Sequence, residues 1–92
     1  MKNKVSVAMA TYNGEKYIEE QIKSILSNLS SNDEVIISDD GSTDKTMEII
    51  NSFHDERIRV IDGPKKGVIK NFENAIKNCN GDYIFLSDQD DI

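Results

Sequence analysis

The chain is poor in the residues that build disulfides and zinc sites. It contains one cysteine, Cys79, and one histidine, His54, among 92 residues. A single cysteine cannot form an internal disulfide, and no Cys/His spacing typical of a zinc site is present. These absences argue against a disulfide-stabilised secreted scaffold and favour a reducing, cytoplasmic location.

Basic residues and long apolar runs are also scarce. Lys and Arg number 11 against 17 Asp and Glu, for a net charge of −6, whereas non-specific nucleic-acid binding requires a basic surface. No apolar stretch approaches the roughly 20 residues that span a bilayer, and no signal peptide is recognisable. We therefore expect no nucleic-acid partner and no membrane span here, so that any membrane proximity would come from regions outside these residues.

What the chain does contain is an alternation of short apolar runs with amphipathic segments. Apolar runs predict buried strands near residues 5–10, 35–37, 58–61 and 83–86, the third near a sheet edge. Between them, apolar side chains recur at helical spacing. These positions are Ile18, Ile22, Ile25, Leu26 and Leu29, then Met47, Ile50 and Phe53, then Val68, Ile69, Phe72, Ala75, Ile76 and Cys79. The order β-α-β-α-β-α-β predicts a parallel sheet with helices on both faces, a three-layer α/β/α fold.

Two residues are expected to define helix ends. Asn13 lies just before the first amphipathic segment and is a candidate N-cap, because Asn side chains accept hydrogen bonds from the first free N–H groups of a helix. Gly81 follows the third segment and is a candidate C-cap, because glycine tolerates the left-handed conformation that ends many helices.

Polar clusters follow three of the four predicted strands. They are Thr11-Tyr12-Asn13, Asp39-Asp40-Gly41-Ser42 and Asp88-Gln89-Asp90-Asp91. Parallel strands bring their carboxyl ends to one edge of the sheet, which is where ligands bind in such folds. We therefore expect the three clusters to meet at that edge.

The last cluster points to a divalent cation. Asp88, Asp90 and Asp91 place three carboxylates within four residues, and such groups repel one another unless a positive charge lies between them. Carboxylate oxygens suit Mg²⁺ or Mn²⁺. The plain alternative is a solvated, turn-forming acidic segment.

The other clusters suggest recognition of a nucleotide. Adjacent side chains point in different directions, so one of Asp39 and Asp40 is expected to stabilise the turn, while the other accepts from the imide N–H of a pyrimidine. Tyr12 either packs on the sheet end or stacks on a base. The nearby positive charges are mostly explained as solvated loop or helix residues, although one of them could reach a diphosphate. They are Lys65, Lys66 and Lys70.

Taken together, these residues resemble glycosyltransferase family 2, whose catalytic domain has the GT-A fold. The matching stretches are residues 5–14, 34–44, 67–71 and 81–91, which cover nearly the whole chain. The form Asp88-Gln89-Asp90-Asp91 is similar to that of bacterial enzymes that build cell-surface polysaccharides. The resemblance implies nucleotide-binding roles for Ala10, Thr11, Tyr12, Asn13, Asp40, Lys70, Asn71 and Asp88.

The resemblance also implies a reaction. Asp40 would accept from uracil or thymine, Asp88 would contact the ribose or sugar of the donor, and Asp90 together with Asp88 would hold Mg²⁺ or Mn²⁺. An inverting enzyme of this kind transfers a sugar from a UDP- or dTDP-sugar to a glycan or lipid-linked acceptor. The catalytic base is expected downstream, beyond Ile92. Residues 1–92 would then be the donor-binding part of a catalytic domain without its acceptor half, inactive alone and prone to self-association through an unfinished sheet.

Three other functions fit the sequence less well. A receiver-like phosphoacceptor domain would carry its acid pair after the first strand, where Thr11-Tyr12-Asn13 stands instead. A Ca²⁺-binding module of the EF-hand type needs a loop of about twelve residues ending in Glu. A pyrophosphorylase-like domain would carry a basic, glycine-rich loop after its first strand.

Overall fold

The fold is that of a computed structural model, which describes residues 3–88 except for the side chain of Asp88. The predictions made for Asp90 and Asp91 lie outside the described residues, and so does the catalytic base that is expected beyond Ile92. No helix in the described part has the length and apolar character needed to cross a membrane.

Strands and helices alternate along the chain as predicted. The elements are β1 (Val5–Thr11), α1 (Ile18–Ser27), β2 (Glu34–Asp39), α2 (Thr46–Ser52), β3 (Ile58–Asp62), α3 (Val68–Lys77) and β4 (Tyr83–Asp88). The four strands form one parallel sheet in the order β3-β2-β1-β4. The strand order therefore reverses at β1, which places a topological switch point between β1 and β4.

Helices cover both faces of the sheet. On one face, Met9 of β1 and Ile37 of β2 pack with Ile22 of α1 and Ile50 of α2. On the other face, Ala8 and Ile36 pack with Ala75 of α3. This alternation follows from the two-residue period of a strand and confirms the three-layer prediction. β3 forms an edge of the sheet, as its alternating pattern indicated.

The prediction that β4 is a buried strand is wrong for the described chain. Tyr83, Ile84, Phe85 and Leu86 are 43–60% exposed. The physical reason is coverage, since α3 packs against β1 and β2 while β4 lies at the other edge of the sheet. At the start of α3, Val68 and Ile69 are also exposed and do not join the core as their spacing predicted.

Both predicted caps are also wrong. α1 begins at Ile18, after a turn in which Gly14 accepts from the N–H of residues 17 and 18, so Asn13 is too far upstream to cap it. α3 ends at Lys77, well before Gly81. Gly81 is required instead for close packing on β1, because a Cβ there would lie 2.6 Å from Ser6 Oγ.

Candidate functional site

The carboxyl ends of three strands meet at one edge of the sheet, as the sequence predicted. β1 lies between β2 and β4, with Thr11 beside Asp39 and Ala10 beside Asp88 in the strand registers. Ala10 and Thr11 are buried, whereas Tyr12, the next residue, is 52% exposed. At this edge, the exposed side chain of Tyr12 therefore follows two buried residues of β1.

Asp39 stabilises the turn that follows β2. Its Oδ1 accepts from Thr11 Oγ1 at 2.7 Å and from Ser42 Oγ at 2.6 Å. Its Oδ2 accepts from the N–H of Ser42 at 2.9 Å and of Gly41 at 3.2 Å. Gly41 has φ = 88°, which a glycine adopts without strain and which allows the chain to turn tightly after β2. Both carboxylate oxygens of Asp39 are thus used internally.

Asp40 is arranged differently from its neighbour. Its backbone N–H donates to the carbonyl of Thr11 at 2.9 Å, and its side-chain Oδ1 accepts from the N–H of Lys65 at 2.6 Å. Within residues 3–88, nothing donates to its second oxygen, Oδ2. The half-buried carboxylate is therefore fixed at one oxygen and open at the other.

Asn13 joins the loop after β1 to the loop after β2. Its side-chain oxygen accepts from the N–H of Thr43 at 2.7 Å and of Asp44 at 3.3 Å, and its own N–H donates to Ser42 Oγ at 2.9 Å. The residue has φ = 50°, a left-handed conformation that asparagine tolerates better than most residues. Asn13 thus acts within the described fold as a brace between the loops.

A second brace was not foreseen from the sequence. Thr46 Oγ1 accepts from the N–H of Gly14 at 2.8 Å and donates to Asp44 Oδ1 at 2.5 Å. Partial burial opposes ionisation of Asp44, but hydrogen bonds from Thr46 and from the N–H of Glu15 hold its pKa below the usual value. The Asp-x-Thr spacing at the start of α2 was the available signal, since Asp side chains often accept from the N–H two residues on.

Lys70 and Asn71 occupy different environments at the start of α3. Asn71 is 2% exposed, accepts from Ser38 Oγ at 2.6 Å, and donates to the carbonyl of Thr11 at 3.4 Å. Lys70 is exposed and pairs with Glu73, with 3.4 Å between Nζ and Oε1. Among the described residues, the fold therefore brings Asn71 to the strand ends and leaves Lys70 on the helix surface.

The described part of the site contains no complete metal centre. Residues 3–88 include no group of three or more His, Cys, Asp or Glu side chains arranged to hold a metal ion. Asp88 ends β4 beside the switch point, and its predicted partner Asp90 lies beyond the described residues. The metal prediction therefore depends on the chemistry of these two carboxylates.

A parallel α/β sheet with polar strand ends at its switch point is the architecture of nucleotide-binding folds. Comparison with known proteins makes the class specific. Residues 6–92 match the family described as Glycosyl transferase family 2, and the chain belongs to that family. The resemblance drawn from the sequence is confirmed.

The relatives are considerably longer than this chain. It is 46% identical to the dTDP-rhamnosyl transferase RfbG of Shigella flexneri over 91% of the chain, which corresponds to 32% of that protein. The chain thus spans about a third of this curated relative.

Solved structures confirm the GT-A fold. The crystal structure of S. aureus TarS 1-349 in complex with UDP is 32% identical, with a TM-score of 0.80 over 95% of this chain and 27% of that one. Glucosyl-3-phosphoglycerate synthase from Mycobacterium tuberculosis, in complex with Mn²⁺, UDP and phosphoglyceric acid, is 27% identical, with a TM-score of 0.78 over 95% of this chain and 33% of that one.

Proposed function

We propose that the protein transfers a sugar from a UDP- or dTDP-sugar to a glycan or lipid-linked acceptor during synthesis of a bacterial cell-surface polysaccharide, with inversion at the anomeric carbon. The observation that carries the proposal is the meeting of Tyr12, Asp40 and Asp88 at adjacent strand ends in a chain of this family. A dTDP-rhamnosyl transferase and a UDP complex among its relatives support these donor classes.

Asp40 and Tyr12 would bind the base. The open oxygen of Asp40 is an acceptor, and an imide N–H of uracil or thymine is a matching donor. The exposed ring of Tyr12 offers a face on which the base stacks. Ala10, Thr11, Asn13 and Asn71 would form and support the floor, and a contact from Lys70 stays a prediction.

Asp88 and Asp90 would hold Mg²⁺ or Mn²⁺, because two carboxylates together with substrate phosphates make an all-oxygen ligand set that these ions prefer. When bound, such an ion supplies Lewis-acid stabilisation of the nucleoside diphosphate leaving group. A solved relative with Mn²⁺ and UDP supports this choice of cofactor.

The remaining steps would depend on residues outside this chain. A carboxylate base is needed to deprotonate the acceptor hydroxyl as it attacks the anomeric carbon. We expect this base beyond Ile92, because the matched part of the relative amounts to only 32% of its length. We therefore propose that residues 1–92 bind the donor and do not transfer sugar by themselves. The cytoplasmic location and the self-association of the sheet stay predictions from the sequence.

The test is calorimetric titration of UDP and dTDP, with Mn²⁺ and then with EDTA. We expect metal-dependent binding that is lost in Asp90→Ala and weakened about tenfold or more in Asp40→Asn, since the new amide would set a donor against the base N–H. Asp62→Asn is the matched control, because Asp62 also ends a strand but lies at the β3 edge of the sheet. A folded protein that binds neither nucleotide, or that responds equally to the Asp40 and Asp62 variants, would refute the assignment.

A further inference from the structure

We propose that Lys65 determines which base binds at the nucleotide site. Its ammonium group donates a hydrogen bond to a carbonyl oxygen of the base, and the neighbouring ring N–H donates to Asp40. The inference rests on the proposed function, because it adds a residue to the same pocket. It also distinguishes Lys65 from the other lysines of this region, which the sequence alone could not separate.

The loop that carries Lys65 is attached to the site by two backbone N–H groups. The N–H of Lys65 donates to Asp40 Oδ1 at 2.6 Å, and the loop begins with Gly63, whose N–H donates to the carbonyl of Asp39 at 2.7 Å. Lys65 has φ = 60°, a conformation that is unfavourable for a lysine. A long side chain held in this conformation is compatible with a functional constraint.

The side chain of Lys65 lies over the turn that follows β2. A Cβ placed on Gly41 would be 3.0 Å from Lys65 Cε and 3.6 Å from its Nζ. Because Gly41 has no side chain, the lysine side chain has room to lie against it. The ammonium group of Lys65 is therefore beside Gly41, the residue next to Asp40.

The ammonium group of Lys65 is available for a ligand. In residues 3–88, no carboxylate lies within ion-pair distance of it, whereas Lys70 is paired with Glu73. The neighbouring carboxylate of Asp40 is fixed by a backbone N–H, which leaves the lysine charge unneutralised by that contact. The site thus presents an open acceptor on Asp40 and an open donor over Gly41, the next residue in the chain.

This pair matches a particular type of base edge. A carboxylate only accepts and an ammonium group only donates, so together they fit a ring N–H that adjoins a carbonyl, as in uracil and thymine. In the same register, cytosine would direct its N3 acceptor at Asp40. The pair therefore favours uracil and thymine over cytosine and places Lys65 on the base rather than on the diphosphate.

The test compares uridine with UDP, titrated by NMR in the presence of Mg²⁺ into the purified protein and its variants. Lys65→Met keeps the aliphatic chain and the backbone N–H and removes only the charge. We expect it to weaken uridine and UDP binding by the same factor, about tenfold, because a hydrogen bond to a charged group is lost in both complexes. Lys65→Arg should recover part of the loss, and Lys66→Met, in the same exposed loop, should change binding less than about twofold.

The outcomes separate this inference from the proposed function. A loss for UDP without a loss for uridine would place the ammonium group on the diphosphate and overturn the inference. Unchanged binding in Lys65→Met would also overturn it, while leaving the donor site intact. If the parent protein, folded by circular dichroism, binds neither uridine nor UDP, the proposed function fails first and the inference fails with it.

Discussion

The two adjacent aspartates after β2 should separate stability from ligand binding. Asp39 is 7% exposed, and its carboxylate accepts four hydrogen bonds, two from hydroxyl groups and two from backbone N–H groups. Asp40 is half-buried and accepts one described side-chain hydrogen bond, from Lys65. Substitutions at the first should therefore affect mainly folding, and substitutions at the second mainly nucleotide affinity.

The loss of stability caused by a substitution at Asp39 depends on which of its hydrogen-bond donors can also act as acceptors. An asparagine can place its oxygen toward the two fixed N–H groups and its amide nitrogen toward Thr11 and Ser42, whose hydroxyl groups can rotate to accept. Asp39→Asn should then cost about 1 kcal/mol, the difference between charged and neutral hydrogen bonds. Asp39→Ala leaves the N–H groups of Gly41 and Ser42 without this acceptor, and we expect a loss of about 3 kcal/mol.

Urea denaturation followed by circular dichroism measures these losses, and calorimetry with UDP measures binding. Asp40→Asn should change the free energy of unfolding by less than about 1 kcal/mol while it weakens UDP at least tenfold. The reasoning is refuted if Asp39→Ala is as stable as the parent protein, or if Asp40→Asn is as destabilising as Asp39→Ala. Comparable m-values in all variants will show that the same two states are compared.

Three further predictions concern stability. His54 follows α2 with φ = 48°, so His54→Gly should stabilise the fold by about 1 kcal/mol and raise the melting temperature, and an unchanged melt would contradict this. Gly81→Ala should destabilise the fold by about 1–3 kcal/mol, since the added methyl group would lie 2.8 Å from the backbone nitrogen of Ser6. Thermal melts test this, and an unchanged melting temperature would show that β1 can move to make room. A hydrogen bond from Arg57 lowers the pKa of Asp55 from 3.8 to about 2, so the pair stabilises the folded state above pH 3.8 and loses that contribution as the pH falls toward 2. The loss of unfolding free energy that Arg57→Met causes, measured by urea titration, should therefore become smaller as the pH falls from 3.8 toward 2. A loss that does not depend on pH would refute the ionic contribution.

The order of strands and helices could be predicted from the sequence because it depends on local patterns. Apolar runs such as residues 35–37 and the spacing of Ile18 and Ile22 report on the chain within a few residues. The exposure of Phe85 could not be predicted in this way, because its apolar run looks the same whether or not another layer covers the strand. Burial depends on what packs against a strand, and α3 packs elsewhere.

The site was predictable by position and less so by role. The meeting of Tyr12, Asp40 and Asp88 follows from parallel strands alone, whichever residues the turns contain. The role of Asn13 depends on N–H groups 30 and 31 residues away, which sequence spacing does not reveal. Local rules therefore favoured a helix cap, the commonest use of asparagine at such a position.

The hydrogen bonds separate the residues that hold the site together from the residues that are available to contact a ligand. Asp39 and Asn71 are buried and fully engaged with neighbouring strands and turns, so neither can turn to a ligand without loss of bonds that hold the strand ends together. The side chain of Asp40 accepts from the backbone N–H of Lys65, which leaves the second carboxylate oxygen and the lysine ammonium group available. Because backbone hydrogen bonds already hold Asp40 and the backbone of Lys65, nucleotide binding needs to order only the exposed lysine side chain, and the affinity should depend mainly on the contacts themselves.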